Sequence, residues 1–354
     1  MNSHRARIYA ATWRHHRALV FTVFITLAVA VTAMGIARLI HEFTWTDRTG
    51  AAPSVWSNAT GVLNLGAHGS VLLPVLLAMI VGAGVVARDL DKGLHTLAFT
   101  QEVARREWYT AIVVTVFVPI ALAMAIYGQL VIWLRSTTRF EWAGRFSIEY
   151  FANTPLIAGL ATLCALLVGA TIALIIRHPL AAISVTAIVV LGAGVLIATM
   201  LRPNYAPPSV DVQTVEEGVS GGGQSVGYFS YSRTYNDWTL ERLFVNAEGD
   251  DMNIPRDACV PATSYQSPVE PVPGESEAEF NERLDVYYDE MDAIQRIREA
   301  EEAQCLRELG ADRFEVRYHE DSQFWRFQLT EAMLLILLGG IAAVGAVWRV
   351  GRLN

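Results

Sequence analysis

Of the 354 residues 53% are apolar and only 18% charged, against about a quarter charged in ordinary soluble domains, so a wholly water-soluble globule is excluded. The net charge of −8 hides a split, because residues 202–328 carry 26 Asp and Glu against 11 Arg while the remainder is net +7. Lys92, the chain's single lysine, stands in Asp91-Lys92-Gly93, whereas a P-loop needs Gly-Lys-Ser/Thr after a glycine-rich loop, which excludes nucleotide binding by that route.

A hydrocarbon core of about 30 Å calls for about 20 apolar residues in a helix. Six stretches meet this in chain order: Ala18–Ile40, Ser70–Ala87, Tyr109–Leu134, Asn153–Ile176, Pro179–Leu201 and Leu329–Trp348. The first is longer than a signal-peptide core of about 7–15 residues and reads as a retained span. Ahead of it, Ile8, Ala11 and Trp13 lie among Arg5, Arg7, Arg14, His15 and His16. That mixture predicts an amphipathic helix over 1–17, lying in the membrane interface before the chain turns into the first span.

Short-loop basic residues set the orientation. One side collects Arg5, Arg7, Arg14, Arg17, Arg88, Lys92, Arg105, Arg106, Arg177, Arg349 and Arg352, and the other Arg48, Arg135, Arg139 and Arg145, with Arg38 near a span end. The richer side is expected to be cytoplasmic. Both termini (the tail being 349–354) then lie in the cytoplasm and 202–328 lies outside. Trp108 and Trp348 at inner ends, and Trp133, Phe324 and Trp325 at outer ends, fit an interfacial aromatic belt.

The spans hold few polar groups. Arg38 and Glu331 sit near outer ends, from which they are expected to snorkel to water. Gln129 is the main polar residue deep in the third span, and with Glu331 it is a candidate pathway or interface position. No midplane carboxylate and no repeat of three plus three helices points to a secondary carrier. The eight histidines show no ligand spacing, His15 and His16 being adjacent and so diverging on a helix, and no His-Glu-x-x-His or Gly-x-Ser-x-Gly motif occurs. No catalytic residue, bound cofactor or metal ligand is therefore predicted.

In the polar segment, Pro203, Pro207 and Pro208 stop the fifth span, and Ser276 with Glu279 makes a capping-box pair. A helix is expected from Ser276 to Leu309, with Phe280, Leu284, Tyr287, Met291 and Ile294 as one apolar stripe packed on its own domain and Gly310 just past its end. Cys259 and Cys305 form an even pair on the oxidising side, which argues for a disulfide, the alternative being two free thiols. Cys164 reads as a small buried apolar residue. The fold class expected is an all-α polytopic membrane protein, six spans with a large α+β extracellular domain between the fifth and sixth.

The segment after the second span reads Ala87-Arg88-Asp89-Leu90-Asp91-Lys92-Gly93-Leu94-His95-Thr96-Leu97-Ala98-Phe99-Thr100, and Gln101-Glu102-Val103-Ala104-Arg105-Arg106-Glu107-Trp108 follows. An acidic residue, a glycine, a short apolar stretch and a basic pair before the third span resemble the permease subunits of type-2 ABC exporters. Asp89 stands where that family often has Glu, and Thr96 is displaced from Gly93. Thr12-Trp13-Arg14-His15-His16-Arg17 and Phe324-Trp325-Arg326-Phe327-Gln328-Leu329-Thr330-Glu331 look like an actinobacterial branch. The resemblance implies that segment 88–108 is a coupling helix inserting into a separate ATPase, with Asp89, Gly93, Leu94, Leu97, Phe99, Arg105 and Arg106 as its contact residues, and that helix 1–17 is the connecting helix. It also implies ATP–Mg in the partner ATPase, a second permease subunit (self or homologue), a bacterial cell membrane and no nucleic-acid partner. The competing reading is a polytopic sensor or assembly protein binding a ligand through its outer domain, with no ATPase partner.

Overall fold

The computed structural model describes residues 2–46, 53–91, 105–136, 144–176, 178–215, 237–255, 258–262, 270 and 276–352. The chain forms two compact units, one of 1–206 with 322–354 and one of 207–321. The boundaries expected at 202 and 328 move inward. Arg202–Asn204 still belong to the helical end of the fifth span, and the helix of the sixth already begins at Phe324.

In the first unit six helices are long and apolar enough to cross a bilayer, among the described residues: Ala6–Phe43, Asn58–Asp89, Arg106–Arg135, Pro155–Ile176, Pro179–Asn204 and Asp321–Val350, here spans 1 to 6. A helix is what a lipid solvent demands, since it satisfies every backbone N–H and C=O within the segment. The expected turn between helix 1–17 and span 1 does not occur. One helix runs unbroken from Asn2 to Thr46, 45 residues, because no glycine or proline precedes Gly35 to interrupt its hydrogen-bond ladder. At 1.5 Å per residue it is about 68 Å long, far more than a bilayer core. Its threonines pose no polar problem, since the hydroxyls of Thr22, Thr26 and Thr32 each donate to the carbonyl four residues back.

Spans 2, 3 and 5 each contain a π-helical turn, at Ala78–Ala83, Val113–Phe117 and Ile197–Leu201. Proline accounts for the second, because Pro119 lies just after it and lacks the N–H an α-turn would donate to Thr115 O. Span 4 is the central helix, packing on spans 2, 3, 5 and 6. Small residues let the backbones approach: a Cβ on Gly169 would lie 2.6 Å from the Ala78 carbonyl oxygen at the start of the π-turn. Thr171 donates across to Ala342 O at 2.9 Å, tying span 4 to span 6. Spans 1 and 5 are the least buried and expose Phe21, Ile25, Val29, Leu180, Ile188 and Val195.

Aromatic placement only partly follows the belt. Trp133, Trp325 and Trp348 are exposed, but Trp108 and Phe324 are buried in the packing of the unit. Arg38 does not reach for water; it donates to Glu42 and to Trp133 O, with its guanidinium 4.5 Å above the Trp133 ring.

The second unit is α+β. Its described strands, β1 Ser209–Thr214, β2 Trp238–Val245, β3 Asp251–Met252 and β4 Arg313–His319, form one antiparallel sheet in the order β1-β4-β2-β3. The helix Glu277–Glu308 starts on the Ser276/Glu279 capping box and ends at Gly310, whose φ of +96° is the left-handed conformation a side chain would resist. Gly310 N–H reaches Arg307 O and Ala311 N–H reaches Leu306 O, closing the end. The expected stripe is only half buried. The helix enters the domain core with Ala303 and Leu306, which meet Phe244, Phe314, Val316 and Tyr318. Cys259 and Cys305 are disulfide-bonded, pinning this last stretch of helix to the chain beyond β3.

Candidate functional site

The first unit contains an open-sided groove of about 580 Å³, within the range of small-molecule sites. Val75 of span 2, Cys164 and Val168 of span 4, Val190 of span 5, and Leu335 and Ile341 of span 6 line it, and the lining is overwhelmingly apolar. The polar groups gather at one end, where span 5 finishes and span 6 begins.

Arg202 and Glu331 are the centre of that end. Both are buried, at 5% and 4% exposure. Arg202 Nε and one terminal nitrogen donate to the two carboxylate oxygens of Glu331, each at 2.8 Å. This is the bidentate geometry in which guanidinium and carboxylate match best. The guanidinium also lies 4.0 Å from the centre of the Phe151 ring, a cation–π contact that strengthens away from water. Tyr205, just past the end of span 5, reaches Glu331 at 3.5 Å. Around the pair, Phe146 and Phe324 pack edge to face, and Phe327 packs on Phe146 and Tyr205. The short helix Ile148–Asn153, capped by Ser147, holds Phe151 in place. Asn153 fixes that helix by donating to Glu149 O and Ala67 O. Thr154 donates to Gln328 Oε1 at 2.7 Å, linking spans 4 and 6. The arrangement joins an apolar wall to one charged end, and among the described residues that line it no nucleophile is paired with a base.

The expectation that Glu331 snorkels to water is overturned; an arginine supplies the counter-charge inside the packing. Arg202 was the residue that sequence reasoning missed, having been assigned to the polar segment. The signal was present in the order of elements. Spans 5 and 6 are consecutive, so the last turn of one and the early turns of the other fall on the same side. Gln129, the other pathway candidate, is exposed on span 3 and does not line the groove.

The opposite ends of the spans hold the coupling candidates. Asp89 ends span 2 and is buried at 7% exposure. Its carboxylate faces His16 Nε2 at 3.6 Å and His15 Nε2 at 3.9 Å. The expectation that two adjacent histidines diverge does not hold, since their rings sit 4.5 Å apart, edge to face, on the side of helix Asn2–Thr46 that meets span 2. Arg105 opens the helix Arg105–Ile112 and Arg106 is exposed beside it. Gly93, Leu94, Leu97 and Phe99 lie outside the described residues.

Membrane-length helices with a central small-residue packing around an apolar groove define a multi-pass membrane protein. The chain belongs to the ABC-2 membrane transporter related family, whose family model matches residues 19–202, from span 1 to the end of span 5. Comparison with curated proteins and with solved structures found no match.

Proposed function

We propose that this permease forms one half of the pathway of an ATP-driven exporter, moving a lipophilic or amphipathic substrate out of a bacterial cell. The observation that carries the reading is the family membership across spans 1 to 5, joined to a groove whose walls are apolar and whose one end is charged. Segment 88–108 is the contact with a separate ATPase, through Asp89, Gly93, Leu94, Leu97, Phe99, Arg105 and Arg106, and ATP–Mg binds in that partner. The permease itself supplies no hydrolysis. Spans 1 and 5, least used in the unit's own packing, are free to face lipid or a second permease, a copy or a homologue.

The orientation follows from the basic residues of the short loops, with both termini cytoplasmic and the inserted domain 207–321 outside. The disulfide of the inserted domain supports it, because such bonds persist where the environment is oxidising. ATP-driven closure of the ATPases would push segment 88–108, rock the two permease halves and open the groove outward, with the inserted domain capping or guiding the exit.

Co-expression with candidate ABC ATPases, followed by reconstitution in proteoliposomes, tests this. The two should co-purify, and proline substitution within 94–100 should abolish ATP-dependent transport while leaving the permease inserted. Transport that survives the substitution removes the coupling assignment. Absence of any ATPase partner, together with ligand binding that maps to the inserted domain 207–321, would favour the sensor reading.

A further inference from the structure

We propose that His15, His16 and Asp89 form a binding site for a divalent transition ion of the zinc class, holding the N-terminal part of helix Asn2–Thr46 to the end of span 2. The inference does not depend on the exporter reading. It begins with a buried carboxylate that lacks close partners among the described residues. Among the described residues Asp89 is faced by His15 and His16 alone, at 3.9 and 3.6 Å, both too long for hydrogen bonds. A carboxylate so placed has lost most of its water without gaining a direct donor from the described residues.

The separations suit a shared ion better. Three ligand atoms, one from each residue, lie within 4.8 Å of one another. A tetrahedral zinc site with bonds of about 2.0–2.1 Å has ligand–ligand edges of roughly 3.3–3.4 Å. An ion would draw the groups together by rather less than the width of an atom. His15, whose side chain is 57% exposed, can swing to meet it, while His16 and Asp89, each 9%, stay fixed. Two imidazoles and one carboxylate are a donor set for zinc, cobalt or nickel, whereas calcium and magnesium take oxygen ligands. A fourth position is left to water. The site joins two helices, two residues short of segment 92–104 and inside the region matched by the family only at Asp89. Occupancy therefore clamps the N-terminal helix against the helix that leads into that segment.

The test uses the full chain, purified in detergent on a tag without histidine and stripped with a chelator. Zinc is titrated in competition with a chromophoric chelator, and Co²⁺ is loaded separately to read its visible spectrum. One ion per chain and the strong visible bands of four-coordinate cobalt are expected. His16→Gln and Asp89→Asn should each weaken binding at least about tenfold, since even the loss of an outer-shell partner costs that much. His178→Gln, at the start of span 5, should leave it unchanged. If Asp89→Asn does not fold, judged by gel filtration, His15→Gln carries the same expectation from an exposed position. Binding that is not stoichiometric, or that is equal in the wild type and in the His15 and His16 variants, overturns the site.

Discussion

Glu331 among the spans and Glu302 in the inserted domain are buried almost alike, at 4% and 5% exposure, yet their surroundings differ. Glu331 is held at both oxygens by Arg202, and the arginine is backed by Phe151. Among the described residues Glu302 has no such clamp. Burial pushes its carboxyl up to about 6, with Arg298 pulling down and Glu299 pushing up as smaller effects. In a lipid-facing unit an uncompensated charge has no water to retreat to, so the counter-charge is built in. In a domain folded by water a carboxyl can take up a proton instead. The two units thus hold themselves together by different means, and each means can be removed separately.

The largest effect is expected at the ion pair. Arg202→Ala leaves Glu331 buried and unpaired, which costs about 3–5 kcal/mol for a broken buried pair. The variant should lose its monodisperse peak in detergent or unfold far below the wild type on heating. The exchanged pair Arg202→Glu with Glu331→Arg should recover part of the loss. Equal behaviour of single and exchanged variants would mean that packing, not charge, holds this end. The inserted domain should not respond to either change.

Cys259→Ala with Cys305→Ala makes the reverse test. The bridged cysteines are 46 residues apart, and closing a loop of that length constrains the unfolded chain by about 4 kcal/mol on the chain-entropy estimate. Amide exchange in β4 and in the last turns of helix Glu277–Glu308 should accelerate by orders of magnitude, while exchange in span 4 stays as it was. A smaller effect is expected from Gly169→Val. Its side chain would press on Ala78 O at the π-turn of span 2, and overpacking of this kind costs about 1–3 kcal/mol. A shifted melting temperature of the full chain in detergent measures it, and an unchanged one would show that the π-turn yields freely.

How much of this was legible differs between the units for the same physical reason. Six spans, a family likeness in residues 87–108 and the capped helix at Ser276 all rest on local pattern, and lipid or capping chemistry enforces such patterns residue by residue. The pairing of Arg202 with Glu331, and the meeting of His15 and His16 with Asp89, depend on which span ends become neighbours. Apolar periodicity carries no information on that. The unbroken helix Asn2–Thr46 was hidden by the basic, amphipathic character of residues 4–16, which describes where a segment can lie and not whether it bends. The half-exposed stripe Phe280 to Ile294 has the right period for a buried face, but period cannot say how far along a helix the domain core extends.

The smallest and most diagnostic effect concerns Glu302. Its pKa in the fold, about 6, exceeds the 4.5 of the unfolded chain. Between those values the folded form holds the extra proton, so stability falls as pH rises. The favourable contribution is complete below about pH 4.5 and is gone above about pH 6. One pKa unit corresponds to about 1.4 kcal/mol, so ionised Glu302 costs the domain about 1–2 kcal/mol at neutral pH. Glu302→Gln keeps the shape and removes the charge. It should slow β4 amide exchange in the full chain several-fold at pH 7.5 and leave it unchanged at pH 4. Slowing of the same size at both pH values would mean that the amide packs better for reasons unrelated to charge, and the contrast with Glu331 would then lose its electrostatic basis.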